Sequence, residues 1–319
     1  MPVKTASASG YTLVELMVAV AMVSLVSSGV FTAVFRLTKV NGTVSNRTEM
    51  HAGVRNATEL LQQEVGQAGR IALANTVQLG GAVASGSATV AVQAIDAAGT
   101  VLTTVNGTSG MFVGERLVIG AGANEETVTL TAVNSTNKQI TATFGVAHAA
   151  SARIRVYGGF AYGIVPTSVT NGSTGSLLKM FGDISGDGSL QYVEYKCDTS
   201  TNPGNLYRRT MLFDAATKPA ITADMSLLNN VLANPDGSAC FTYQQQTVSG
   251  TSFVTDVAIT LTVQTPTKDP VTGLYENETK ALLNVSPRNV FDVWQLAGLG
   301  VSNRVQPMPS TVQTLIGLP

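Results

Sequence analysis

Two stretches of this sequence bring together side chains whose types and spacing could do chemistry. The first is Asp183-Ile184-Ser185-Gly186-Asp187-Gly188-Ser189, followed by Glu194. Asp183, Ser185, Asp187, Ser189 and Glu194 fall at the first, third, fifth, seventh and twelfth places of an EF-hand-type calcium loop, with Gly188 at the sixth, where the loop needs its sharp turn. Hard oxygen ligands alternate with spacers there, and the distal carboxylate can bind through both oxygens. The same residues also read as a hairpin turn, because Asp-Gly between strands is a strong turn signal, and strand alternation groups Glu194 with Leu190 and Tyr192. Both readings stand at this level; Ca2+ is the one ion the sequence nominates, and no cofactor is required. The second stretch is Glu15, which sits just inside an apolar run. An ionised carboxylate near a bilayer centre costs about 2.5–3.5 kcal/mol, less near an interface, so it needs a partner or a role.

Other chemistry is sparse. The two histidines, His51 and His148, are far apart, and the two cysteines form no C-x-x-C. Nucleophile-elbow, H-E-x-x-H and phosphate-loop motifs are all missing, so no enzyme is expected. Glu125 and Glu126 read as a solvated loop, and Arg153/Arg155 and Arg208-Arg209 as solvent-face strand charges that discourage edge pairing. Asn-x-Thr triplets such as Asn106-Gly107-Thr108 read as turns. With 19 basic and 20 acidic residues in 319, a net charge of −1 and no basic run, the chain offers no constitutive surface for nucleic acid. Its 44% hydrophobic content rules out intrinsic disorder.

The element that must position Glu15 is a helix. From Leu16 to Phe35 there are 20 residues without a charge; at about 1.5 Å each they span about 30 Å, the hydrocarbon core of a bilayer. A secretory signal peptide would have a shorter apolar region with a small-residue cleavage site after it.

The run Gly10-Tyr11-Thr12-Leu13-Val14-Glu15-Leu16, behind a short polar leader, resembles the type IV prepilin signal. The resemblance implies cleavage after Gly10 by a membrane peptidase, N-methylation of Tyr11, and a carboxylate, Glu15, at the fifth mature position that matches an N-terminal amine in an apolar filament core. Tyr11 stands where phenylalanine is usual and keeps the aromatic ring. Lys4 is the only basic residue of the leader and Arg36 and Lys39 follow the apolar run, so orientation follows from the resemblance and not from charge counting. Leu60 to Arg70, with an acidic residue and Ala68-Gly69 at its close, and Pro287-Arg288-Asn289 are similar to features of PilW-type minor pilins. The chain thus resembles type IV minor pilins of the PilW kind, with J-type pseudopilins of type II secretion systems as near relatives of that family. A pilin-delivered adhesin or surface-binding protein is the alternative from another class.

Several expectations come with that resemblance. The partners would be other minor and major pilins, the prepilin peptidase, the inner-membrane assembly platform and the membrane itself, and no nucleic acid. The precursor would span the bacterial inner membrane once with its head in the periplasm, then enter the filament or its tip. In an exported head, Cys197 and Cys240 read as one disulfide.

The predicted fold is α+β: a long N-terminal transmembrane and amphipathic helix packed on a mainly antiparallel β head, with an inserted small β unit. The organisation is a leader at 1–10, a transmembrane and filament-core helix at 11–35, and the amphipathic half of the helix at 36–72. A separate β-rich unit, barrel or sandwich, follows at 73–158, then the β head at 159–297 and an irregular tail at 298–319. Leu37, Val40 and Val44, then Val54, Leu61, Val65 and Ala68, recur at helical spacing. Gly42 and Gly53 flank a polar stretch where the helix is expected to bend, and Gly69 is placed to end it. Thr127–Ala132 and Val257–Val263 alternate as half-buried strands.

Overall fold

The computed structural model describes residues 10–318; the leader up to residue 9, Lys4 included, lies outside the described residues. A long apolar N-terminal helix followed by a mostly antiparallel β-rich head is what the chain forms. Helix α1 (Leu13–Gln67) is continuous. The chain divides into two compact units, one holding residues up to His51 with Thr265–Asn277, the other Ala52–Gln264 with Glu278 onward.

In the first unit the large apolar side chains of α1 from Leu13 to Val44 stay exposed, including Leu37, Val40 and Val44, which the helical spacing had grouped with the buried stripe; Met50 is buried. The hydroxyls of Ser24, Ser28 and Thr32 donate back to carbonyls one turn earlier, at 2.7–2.8 Å, so these three donors are met within the helix itself. Loop 265–277 grips the helix: Arg47 pairs with Glu276, and Asn46 exchanges hydrogen bonds with Thr267. At Gly42 the missing side chain lets Pro270 approach, and a Cβ there would lie 3.0 Å from the proline ring.

In the second unit Val54, Ala57, Leu61, Val65 and Ala68 form a fully buried stripe at spacings of three and four. Gly53 packs against Leu228, where a Cβ would lie 3.2 Å from the leucine side chain. The helix ends as its glycine requires: Gly69 has φ of +80°, and its N–H donates to the Phe181 carbonyl at 2.9 Å.

Six strands follow: β1 (Val77–Leu79), β2 (Gly86–Ala94), β3 (Arg116–Ile119), β4 (Glu126–Asn134), β5 (Gln139–Phe144) and β6 (Arg153–Val156). They close into an antiparallel barrel in the order β1-β2-β5-β4-β3-β6, sealed where Val77 pairs with Ile154. Alternate residues point inward, such as Val128 and Leu130 on β4 and Ile140, Ala142 and Phe144 on β5, and fill the interior.

The rest of the head holds β7 (Gly159–Phe160), β8 (Leu177–Gly182), β9 (Gln191–Asp198), β10 (Gly204–Leu212), β11 (Ser226–Leu232), β12 (Phe241–Val248), β13 (Thr251–Gln264) and β14 (Asn277–Val285). Helix α2 (Arg288–Gly298), β15 (Val305–Gln306) and helix α3 (Ser310–Gly317) complete it. The main sheet runs β12-β13-β11-β10-β9-β8, with β14 also on β13, and β7 pairs in parallel with β15. Cys197 on β9 and Cys240 just before β12 are joined by a disulfide, with Cα atoms 6.4 Å apart.

Two expectations of organisation are corrected. The barrel is not separate from the head: it belongs to the same compact unit, and Phe112, from the connection into β3, packs on Phe160 and Phe213 in the head's own core. The tail is not irregular. Pro309 immediately precedes α3, a position that tolerates a missing N–H, and Val312, Leu315 and Ile316 bury one face of that helix against Phe160, Phe181 and Tyr192.

Candidate functional site

The site begins with backbone that is not yet helical. Gly10, Tyr11 and Thr12 lie outside regular structure and Gly10 and Tyr11 are exposed, Tyr11 to 90%. The Gly10–Tyr11 bond therefore lies in open chain just ahead of α1, and nothing would meet even a Cβ at Gly10. A peptidase needs such an unencumbered segment.

Thr12 and Glu15 then start the helix together. The Thr12 N–H and hydroxyl donate to Glu15 Oε2 at 3.0 and 3.1 Å, and the Glu15 N–H donates to Thr12 Oγ1 at 3.3 Å. This is a reciprocal capping box: two orphan donors of the first turn are satisfied and a negative charge stands at the positive end of the helix. Sequence reasoning singled out Glu15 and missed Thr12, although Thr-x-x-Glu before an apolar run is itself a helix-start signature. Glu15 Oε1 takes no hydrogen bond among the described residues. From Leu13 to Phe35 the large apolar side chains are exposed, and the helix is long and apolar enough to cross a bilayer.

At the other end of α1, Glu64 is buried against the sheet. The Tyr195 hydroxyl donates to its Oε2 at 2.6 Å, and Arg208 Nη2 donates to its Oε1 at 2.6 Å. Burial and the neighbouring Glu64 charge push the Tyr195 hydroxyl well above its ordinary pKa. Asn289, in the first turn of α2, donates to the Gln67 carbonyl at 3.2 Å and reaches those of Gly66 and Ala68, capping the end of α1. The Pro287-Arg288-Asn289 segment thus has a direct mechanical role.

The five residues nominated for Ca2+ are not brought together. Asp183 is fully buried, with Oδ1 accepting the Gly188 N–H at 3.1 Å and Oδ2 3.4 Å from Arg70 Nε. Ser185 accepts from Gln191, and exposed Asp187 accepts the Ser189 N–H. Glu194 lies out on β9, paired in register with Lys179 on β8, so alternation along the strand carries it away from the loop. There it receives Lys218 Nζ and the Tyr192 hydroxyl at 2.8 and 2.6 Å and pairs with Arg209. Burial alone would raise the Glu194 carboxyl, but these donors outweigh it and hold the group below the usual carboxylate range. Among the described residues no three His, Cys, Asp or Glu side chains gather as a metal site would need.

Arg153 and Glu125 are exposed, but Arg208, Arg209 and Glu126, set aside as surface charge, are corrected. Neighbours Arg208 and Arg209 point to opposite faces of β10 and each meets a buried carboxylate, Glu64 or Glu194. Glu126 is a loop clamp, accepting the N–H groups of Gly145 and Val146 and lying 2.7 Å from His148 Nε2.

Residues 6–31 match the prokaryotic N-terminal methylation motif. No curated protein and no solved structure matches the chain. The motif, carried on an exposed apolar helix, supports a protein of pilin or pseudopilin type. It implies a membrane-anchored precursor, a structural rather than an enzymatic job, and other pilins and the prepilin peptidase as its partners.

Proposed function

We propose that this chain is a minor pilin of a type IV pilus, of the PilW kind, cleaved after Gly10 and N-methylated on Tyr11, which primes or caps the filament. The observation that carries the reading is the methylation motif coinciding with the capped helix start at Thr12 and Glu15. Cleavage creates an amine four residues before the carboxylate. That amine sits at the positive end of its own helix, where the dipole disfavours it, while Glu15 Oε1 is open to a donor. Between neighbouring subunits in an apolar core, each charge then stabilises the other. The inner-membrane assembly platform would extract the subunit, and the β head, with its barrel, would form the exposed end.

The test is the mass of the N-terminal peptide from native membranes and sheared filaments. A peptide starting at N-methylated Tyr11 is expected; finding residues 1–10 still attached with the peptidase present refutes the processing. Co-purification with a type II secretion filament instead of a pilus would reassign the chain as a pseudopilin. Glu15→Val should insert into the membrane normally and enter filaments poorly. Normal incorporation would defeat the charge-matching account.

A further inference from the structure

Where the barrel meets the C-terminal segment there is a cleft of about 630 Å³, within the range of about 300–1,000 Å³ usual for small-ligand sites. Two arginines, Arg116 and Arg304, and two glutamates, Glu125 and Glu126, line it. The glutamates are already engaged by partners from the barrel. Arg155 Nη2 donates to Glu125 at 2.8 Å, and Glu126 is held by His148 and the Gly145 and Val146 amides. Neither cleft arginine has a carboxylate partner among the described residues. Arg116 Nη1 donates to the carbonyls of Ser302 and Val305, which fixes the segment across the cleft. Among the described residues the Arg304 side chain makes no hydrogen bond or ion pair; its Nη1 is buried and its guanidinium lies over the Tyr157 ring, 4.7 Å from the centroid.

A guanidinium held against an aromatic ring with all its donors unspent is a preorganised fork for a planar oxyanion. Around it the lining is hydroxyl and amide: Thr127, Thr129, Ser302 and Asn303. Such a wall suits a polyhydroxylated ligand. An extended peptide would look for a strand edge to pair with, and the closed barrel has none. We propose that this cleft binds an acidic saccharide, with Arg304 taking the sugar carboxylate and the Thr127 and Thr129 hydroxyls meeting the ring hydroxyls. The site rests on the barrel and the C-terminal segment alone and does not depend on the filament reading.

The test uses the full-length protein in detergent micelles, disulfide intact, titrated calorimetrically in calcium-free buffer. Trigalacturonate should bind, and neutral galactotriose should bind at least tenfold more weakly. Arg304→Gln should weaken trigalacturonate at least tenfold and Thr129→Val severalfold, the latter substitution placing a good strand former at an exposed strand position. Arg153→Gln, which removes an exposed barrel charge outside the cleft, should leave affinity unchanged. The proposal falls if trigalacturonate does not bind, or if Arg153→Gln costs as much as Arg304→Gln. It also falls if hexaglutamate or inorganic phosphate binds as tightly as the trisaccharide, or if Thr129→Val has no effect.

Discussion

Glu115, immediately before β3, is 1% exposed, and the one hydrogen bond to its carboxyl among the described residues comes from the Phe112 N–H at 3.3 Å. Burial pushes its carboxyl up from 4.5 to about 8. Below pH 4.5 folded and unfolded chains both keep the proton and the group costs nothing. Between 4.5 and 8 the unfolded chain releases the proton while the folded chain retains it, so stability falls as pH rises. At about 1.4 kcal/mol per pKa unit, the loss is roughly 3 kcal/mol at pH 7 and about 5 kcal/mol once pH passes 8. Glu115→Gln keeps the shape and the carbonyl acceptor for Phe112 but has no proton to lose. The variant and the parent should therefore diverge steadily from pH 5 to pH 8, the variant gaining roughly 6–12 °C in midpoint by pH 7, taking 2–4 °C per kcal/mol for a unit of this size. Thermal unfolding followed by circular dichroism in micelles reads this directly. Parallel curves for the two proteins across that range would refute the reasoning, because they would mean that Glu115 ionises in the folded state as easily as in the unfolded one.

Other substitutions test the scaffold. Replacing Cys197 and Cys240 by alanine releases a loop closed across a sequence separation of 43 and should cost about 4 kcal/mol on the chain-entropy account, measurable by denaturant unfolding as a lower midpoint with a slope that rises, because the unfolded chain is freed to expand. Arg208→Gln leaves Glu64 buried beside Tyr195 without its cation and should destabilise by about 3–5 kcal/mol; a loss under 1 kcal/mol would mean water reaches the pair. Leu61→Ala, at a fully buried position of the helix stripe, should cost about 2–5 kcal/mol in the same unfolding assay.

What the sequence made legible was local. Glu15 stood out because a charge in an apolar run is anomalous within a single helix. Gly69 could be read as a helix end, because its conformation depends on its own residue type. The misread charges and the barrel closure have distant partners. Arg208 meets Glu64 from 144 positions away, and a charge in a sequence names no counter-ion, so it passed for surface charge. The barrel's strands alternate visibly, but the Val77 to Ile154 pairing that closes it is fixed by tertiary geometry. The calcium spacing failed for a different reason: a twelve-residue template ignores what the backbone does after the turn. Once β9 begins at Gln191, Glu194 obeys the strand's period of two and joins Lys218 and Arg209.

Helix α1 carries two carboxylates in apolar settings, and they are solved in opposite ways. Glu64 is closed: tyrosine and arginine from two strands occupy it, so its chemistry ends in the folded head. Glu15 is half-satisfied by its own helix start through Oε2, with Oε1 left unused among the described residues. A capping role alone would be served equally by asparagine or serine at the N-cap on an uncharged first turn. Retaining a full charge at the start of a spanning helix costs free energy in a bilayer, and the cap recovers only about 1 kcal/mol of it. The remainder requires a second donor, which no described residue supplies, and in the proposed processing the amine created by cleavage after Gly10 on a neighbouring subunit has the charge to supply it.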